Sequence, residues 1–454
     1  MDDPRIKRLN DAPPDPRGRF VLHWMQHSQR AAGNPALERA VAHANALGLP
    51  TVVLFVVDPT YPDANARHFT FLIEGLGEAL AACRARGLVT RVLRGSPPEV
   101  VARIAQGAAL VVTDRGYLRH LRAWRAEVAR TAGRLVEMVE GDAVVPVDVA
   151  SDKRETAART IRPKINRRRF DFLDLPDEVA PIRPAGDGAA LGLPPGEDIS
   201  DPAAYVAGLG VDMSGPAVAT FRGGTAEARR RLASFVETRF SRYGAERSDI
   251  ALRVTSEISP YLHLGQISPV EVVRTIRSAR GNEEAREVYL EEMIVRRELA
   301  INYVEREPGY DRYDALPTWA RQTLEDHAPD ERSRVYTREQ LEAASTHDRY
   351  WNAAMTEMKK TGYLHNYMRM YWGKQIITYM RSPREAFETA LHLNNKYLLD
   401  GRDANSYASI GWLFGVHDRG WPERPVFGKV RSMTPSGLER KFDVEAYLAH
   451  VARL

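Results

Sequence analysis

The sequence predicts an α/β domain followed by an all-α domain, the two joined by a long linker. Three observations predict this. Apolar, β-branched runs alternate with helical stretches as far as residue 147. A segment rich in Pro, Gly, Ala and Asp, with little periodicity, occupies 181–216. From about 217 onward, apolar residues recur at helical spacing and strand-type alternation is missing. The boundaries read as a tail over 1–18, an α/β domain over 19–147, a linker over 148–216 and a helical domain over 217–454. A chain of 454 residues is too long for one ordinary core, which agrees with two domains.

Strands are expected at 20–24 (FVLHW), 51–57 (TVVLFVV), 89–93, 109–113 and 135–139. The spacings leave room for helices at 34–47, 66–86 and 97–106. Strands that alternate with helices imply a Rossmann-like, mostly parallel sheet covered on both faces. No GxGxxG follows the first strand, so the dinucleotide fingerprint is absent. A ligand of this layer would sit beyond the carboxyl ends of the strands. Helices are then expected at 225–243, 268–280, 283–306, 346–380 with a break near Thr361-Gly362, and 383–393.

Composition narrows the setting. No window reaches the ~18 apolar residues of a membrane helix, and the N-terminus lacks the apolar core of a secretion signal. A single cysteine, Cys83, excludes an internal disulfide, fits a reducing cytoplasm and argues against a cysteine-rich metal site. The net charge of +4 does not identify a nucleic-acid binder. The densest basic cluster, 153–169 (KRETAARTIRPKINRRR), reads equally as a solvated linker or a DNA contact.

Three segments carry chemistry. Thr255, Ser256 and Ser259 place three hydroxyls within five residues, ahead of Pro260. Ser259 with Pro260 reads as an N-cap and first-turn proline; clustered hydroxyls at a helix N-terminus also suit a phosphate. The segment 399–407 packs Asp400, Gly401, Arg402, Asp403 and Asn405 between apolar stretches, with Asn394-Asn395 upstream and Gly411-Trp412 downstream. A polar loop is often a surface turn; one inside the protein beside aromatics suits a heteroaromatic ligand. The segment 361–372 is aromatic and basic at once, and Arg369 needs an acid if buried, for which Asp400 is the candidate.

Together, Ser-x-x-Ser-Pro-Tyr-Leu-His at 256–263, Thr-Gly-Tyr-x-His-Asn-Tyr-Met-Arg-Met-Tyr-Trp at 361–372 and Leu-Asp-Gly-Arg-Asp-x-Asn at 399–405 resemble the photolyase/cryptochrome superfamily, in its class II cyclobutane pyrimidine dimer (CPD) DNA photolyase variant. Trp24-Met25-Gln26, 151–165, Glu291-Glu292 with Arg297-Glu298-Leu299, 346–353 and 415–431 agree, so the resemblance runs from about residue 19 across nearly the whole chain. It implies an antenna domain at the N-terminus and a helical domain that binds FAD in a bent shape. By that resemblance Tyr243 and Thr255, Ser256, Glu257, Ile258 and Ser259 grip the FAD phosphates. Arg369 pairs with Asp400 against the flavin, Arg402 and Asp403 line the pocket, and Asn394 sits at flavin N5. The activity implied is light-driven repair of UV-damaged double-stranded DNA, with the dimer flipped out of the duplex. Trp412 stacks on the dimer, Met370 packs beside it and Glu292 hydrogen-bonds a pyrimidine carbonyl. Arg247 clasps the lesion phosphate, while Trp421 and Arg431 fill the gap in the duplex. An antenna chromophore, 8-hydroxy-5-deazaflavin or methenyltetrahydrofolate, is an open option. A cytoplasmic monomer, nucleoid-associated on DNA, without metal or membrane is expected.

The resemblance further implies that Trp372 and Trp351 relay electrons to the flavin. A third tryptophan is expected seven residues beyond Trp372, about 10 Å along one helix face, but Tyr379 stands there. Tyr336 and Tyr350 are other terminal donors to weigh. Two rival readings are a cryptochrome-like blue-light photoreceptor, which normally needs an output region beyond a chain like this one ending at Leu454, and a DNA-binding module without a cofactor.

Overall fold

The computed structural model describes residues 3–184, 188–280 and 282–454. Residues 1–2 of the expected tail, 185–187 of the expected linker and residue 281 lie outside the described residues.

Six strands form one sheet: β1 (Ile6–Arg8), β2 (Phe20–Trp24), β3 (Thr51–Val57), β4 (Val89–Arg94), β5 (Ala108–Asp114) and β6 (Leu135–Val139). Their order is β1-β6-β5-β2-β3-β4, with every neighbouring pair parallel except β1 and β6. β2, β3, β5 and β6 are buried along their whole length, as their unbroken apolar runs require of a sheet covered on both faces. β1 lies in the stretch read as a tail; three residues with partly exposed side chains carry no alternation to detect. The sequence order reverses between β2 and β5, which makes the carboxyl ends of those strands a topological switch point.

Helices Pro35–Leu47, Ala66–Ala85, Pro97–Ala105 and Arg119–Thr131 accompany the strands. Asn34 starts the first of these by accepting the N–H groups of Ala36 and Leu37, and Gly48, at φ 62°, ends it. The helix Arg119–Thr131 is absent from the sequence reading, because it buries only Leu121, Arg125 and Val128. The basic cluster at 153–169 departs from a solvated linker. It holds the helix Ala158–Arg168, which buries Ile161 and Ile165. Its cations are largely committed: Arg154 to Glu307, Lys164 to Glu155, Arg162 to Glu291 and Arg169 to Glu287.

Among the described residues every strand precedes residue 140, and the regular elements beyond that point are helices. Two stretches read as single helices are interrupted, and a third breaks where the sequence places its break. The first breaks at Arg239, between Thr225–Thr238 and Phe240–Glu246. The second, 283–306, carries a π turn over Glu291–Arg296. The third ends its first half at Gly362, φ 71°, and restarts as Asn366–Tyr379. Helices Pro383–Tyr397 and Ala404–Leu413 complete the frame of the site.

The two layers are tied by buried arginines. Arg30 donates to Asp142 Oδ1 at 2.6 Å and to the carbonyls of Gly141 and Gly265 at 2.9 and 2.8 Å. Gly265, at φ +62°, lies so close to the loop after β2 that a Cβ there would stand 2.7 Å from Ser28 Cα, so only glycine fits. Arg67 donates to the backbone carbonyls of Pro216, Met358, Tyr397 and Lys359 at 3.1, 3.1, 2.5 and 2.6 Å, and burial lowers its guanidinium pKa to about 10. A hydrogen bond to a charged group contributes about 1.5–3 kcal/mol. Arg67→Ala is therefore expected to destabilise the protein by at least about 3 kcal/mol, read as a lower melting temperature; an unchanged value would mean that water replaces the guanidinium.

Candidate functional site

A cavity of about 700 Å³ opens in the helical layer. Its walls come from elements far apart in sequence: Ser259, Glu292, Arg369 with Met370, Asp400, Trp412 and Arg431. Arg369 Nη2 donates to both carboxylate oxygens of Asp400, at 3.0 and 3.1 Å. The two side chains are only 13% and 11% exposed, so each offsets the desolvation of the other.

The loop behind Asp400 is held by a chain of buried amides. Asn394 Nδ2 donates to Ser406 Oγ at 2.6 Å and to Asn395 Oδ1 at 3.1 Å. Asn395 Oδ1 also accepts the Arg402 N–H, and Asn395 Nδ2 donates to Asp63 across the layers. Arg402 adopts φ 64° and returns Nη1 to the Asn395 carbonyl. Asn394 Oδ1, Arg369 Nε and Trp372 Nε1 are buried without a protein partner. Leaving such groups unsatisfied costs about 1–3 kcal/mol each; of the three residues, Arg369 lines the cavity, where a polar ligand would supply the missing partner.

The 255–259 segment reaches the cavity chiefly through Ser259. Ser259 is the first residue of the helix Ser259–His263 and Ile258 is its cap, with no side-chain capping bond, which corrects the expected Ser259 cap. Thr255 Oγ1 lies 3.1 Å from Tyr363 OH, and Ser256 Oγ accepts from Tyr289 OH at 3.0 Å. The Glu257 carboxylate is taken by Arg231 and Arg253 at 3.1 and 2.9 Å. Tyr243 packs its buried ring on Phe235 and Tyr289. Asp403 caps the helix Ala404–Leu413 through the Asn405 N–H at 2.8 Å. Burial would raise its pKa, but the His263 ring at 3.5 Å and the nearby Arg297 lower it well below the usual carboxylate range.

At the cavity mouth, Glu292 sits in the π turn, a geometry concentrated at functional sites. Its side chain reaches solvent through the cavity yet is crowded by protein atoms, and the lost hydration raises its carboxyl pKa. Trp412 is flanked by two cations, with Lys374 Nζ 5.0 Å and the Arg431 guanidinium 5.6 Å from its ring centre. Arg431 also lies 4.1 Å over Trp421. Arg247 stands outside the cavity wall; its Nη1 donates to the Gly244 carbonyl at 2.9 Å.

From Trp372 an aromatic file runs outward. Trp372 and Trp351 stack with ring centres 6.3 Å apart, tilted by 12°. Tyr379 meets Trp351 edge-on at 6.1 Å, and Tyr336 meets Tyr379 at 5.4 Å. Tyr350 is turned away, its hydroxyl on Glu439 at 2.7 Å.

With this geometry in hand, comparison with known proteins gives a consistent result. The sequence pattern of the DNA photolyase family matches residues 21–184. The deoxyribodipyrimidine photo-lyase of Methanothermobacter thermautotrophicus is 42% identical over 99% of this chain and 98% of its own. That of Oryza sativa is 38% identical over 96% of this chain and 88% of its own. The chain belongs to the DNA photolyase family. In fold it is similar to a class III photolyase from Agrobacterium tumefaciens, with TM-score 0.73 and 17% identity over 96% of this chain and 87% of the other.

This photolyase-family chain has a second, smaller cavity of about 70 Å³ at the carboxyl ends of the strands, where the switch point predicts one. Gln26, His27, Tyr61, Trp124, His263 and Arg402 line it. Tyr61, His120 and Trp124 pack edge-to-face beside it. Asp114, at the end of β5, closes the β2 end by accepting the N–H groups of Gln26 and His27 at 3.0 and 2.8 Å.

The sequence reading missed Lys374 and Asp348. Asp348 has the only legible signal, an aspartate just ahead of a helix. Lys374 is fully buried, with Nζ donating to the Leu413 carbonyl at the end of the helix that carries Trp412. Burial lowers its ammonium pKa to about 7. Between about pH 7 and 10 the unfolded chain therefore holds a proton that the folded protein lacks, and stability rises with pH across that window. Lys374→Met should remove this slope and stabilise the protein at and below pH 7, by on the order of 2–4 kcal/mol. Melting temperature against pH checks this; parallel curves for the two proteins would refute it.

Proposed function

We propose that this protein repairs cyclobutane pyrimidine dimers in DNA with light, as a class II photolyase that binds FAD in the large cavity. The observation that carries the reading is the cavity itself, whose wall brings together the Arg369–Asp400 ion pair, the Trp412 ring and the Glu292 carboxyl group. The class II subtype rests on the motifs at 256–263, 361–372 and 399–405.

Arg369, Asp400 and Ser259 would hold FAD there, where the reduced, light-excited cofactor would supply the electron that opens the cyclobutane ring. The residues of the chain do the rest. The Arg369–Asp400 pair presents charge to the flavin while remaining neutral as a unit. Asn394 would offer its unpartnered Oδ1 as an acceptor, because its amide nitrogen is committed to Ser406 and Asn395. Thr255, Ser256 and Ser259 contribute hydroxyls toward the FAD phosphates, and Asp403 fixes the helix behind them. Trp412, with Lys374 and Arg431 near its ring, offers a stacking surface to the extruded dimer, with Met370 beside it. Glu292, whose raised pKa favours the protonated acid, donates a hydrogen bond to a pyrimidine carbonyl where negative charge develops. Arg431 and Trp421 stack as a wedge for the space left in the duplex, and Arg247 contributes a phosphate contact. Residues 19–147 form the antenna domain.

Illumination of the FAD-loaded protein with dimer-containing DNA should restore intact pyrimidines, while a dark control should not. Flavin binding and photoreduction without any repair would instead indicate a photoreceptor. Trp412→Ala should lose discrimination between damaged and undamaged duplex by about 1–3 kcal/mol. Binding titrations against both duplexes measure this, and equal discrimination in variant and wild type would remove the stacking role.

A further inference from the structure

We propose that the Asp348 carboxylate is the proton acceptor that allows Tyr379 to donate an electron to Trp351. The inference rests on the reading of Trp372 and Trp351 as a relay to bound FAD. It concerns what happens at the end of that relay.

Tyr379 is the next aromatic ring outward from Trp351, at 6.1 Å. A tyrosine is a poor one-electron donor while its phenolic proton stays in place, because the oxidised phenol is a very strong acid. Tryptophan has no comparable restriction, since its radical cation persists with the proton on. A tyrosine at this position therefore works only if a base stands at its hydroxyl. Tyr379 OH donates to Asp348 Oδ2 at 3.0 Å.

The surroundings single out that oxygen. Asp348 is 6% exposed, so bulk water is not the first acceptor. Its Oδ1 is engaged by the N–H groups of Tyr350 and Trp351 at 2.9 and 3.0 Å, where it caps the helix that carries Trp351. Oδ2 faces two phenols, Tyr379 and Tyr371. The ring of His347, another base nearby, takes the Tyr336 hydroxyl on Nδ1 at 2.7 Å. Burial and the Asp348 charge push the Tyr379 phenol above its ordinary pKa, so at rest it holds the proton it must lose.

Light-excited oxidised flavin, the oxidant, draws one electron through Trp372 and leaves a hole on Trp351. One electron passes from Tyr379 to Trp351 and fills it. The Tyr379 O–H bond breaks, its proton forms a new O–H bond on Asp348 Oδ2, and a neutral tyrosyl radical remains beside a neutral carboxylic acid. No charge is left stranded in the interior, where an isolated one is disfavoured.

The test uses the FAD-loaded full chain under flash excitation, with transient absorption and electron paramagnetic resonance as readouts. Wild type should yield a neutral tyrosyl radical that forms more slowly in D2O. Asp348→Asn keeps a capping side chain but removes the base, and should lower the tyrosyl yield by on the order of tenfold or more. Combining Asp348→Asn with Tyr379→Trp should restore electron donation, now as a tryptophan radical, because an indole needs no acceptor. An unchanged tyrosyl yield and D2O effect in Asp348→Asn overturns the proposal. So does failure of the double variant to recover, which would mean that the aspartate acts only through the helix. Trp372→Phe separates the underlying reading: photoreduction that survives it overturns the relay itself.

Discussion

The buried Arg30–Asp142 pair with its bond to the Gly265 carbonyl is the contact on which the arrangement of the site depends. A guanidinium that is almost fully enclosed has to find acceptors in fixed directions. Here two of them come from the loop after β6 and one from the loop after the short helix Ser259–His263. The strand ends are thereby fastened to the segment that carries the 255–259 hydroxyls. Arg67 makes a second fastening on the other side, at the ends of the helices Arg349–Thr361 and Pro383–Tyr397. Between these two points the segment 394–403 folds back on Asn395, whose amide accepts the Arg402 N–H and donates to Asp63 of the α/β layer. The polar ligand site is thus a product of both layers, although its cavity lies in one.

Electrostatics divides that cavity into regions with different work. At its depth, Arg369 and Asp400 cancel each other, which keeps strong dipoles near the ligand without a net charge. At its mouth the charges are unequal. Lys374 and Arg431 approach the Trp412 ring, while Asp418 stands 3.7 Å from Arg431. Arg431 is held against the Trp412 ring, while burial lowers the Lys374 ammonium pKa to about 7 and makes its charge there depend on pH. Glu292 meets the same mouth with a carboxyl pKa raised by lost hydration, so a carboxyl group and a stacking face are presented together.

Much of the α/β layer was legible in the sequence because its signals are local. The runs FVLHW and TVVLFVV coincide with β2 and β3, and Asn34-Pro35 marks a helix start that the structure keeps. The helical layer was legible in outline only. The break at Gly362 was legible from its glycine, but those at Arg239 and at the π turn arise from tertiary packing, which helical periodicity averages over. The Arg369–Asp400 pair was foreseeable because a buried arginine demands an acid. Lys374 was not, since nothing in a 14-residue helix with little contrast between its faces marks one lysine as enclosed. Nor was Asp348, whose capping pattern hides a second role for its other oxygen.

The π turn at Glu291–Arg296 has a consequence for how this family's chain can change length. A π turn is an α-helix with one residue added, and one residue is about 100° of rotation. On the C-terminal side, Glu298 points at the loop after β6, accepting the N–H groups of Val144 and Val145 at 2.7 and 3.0 Å. On the N-terminal side, Ala285 and Tyr289 are packed in the core. Both ends are anchored, so the added residue is what allows Glu292 to face the cavity between them. Deleting a single residue here would leave a regular helix of ordinary stability, but the faces on its two sides would no longer match their separate anchors. Drift in sequence length at this point is therefore restrained by rotational phase, even where every side chain is free to vary.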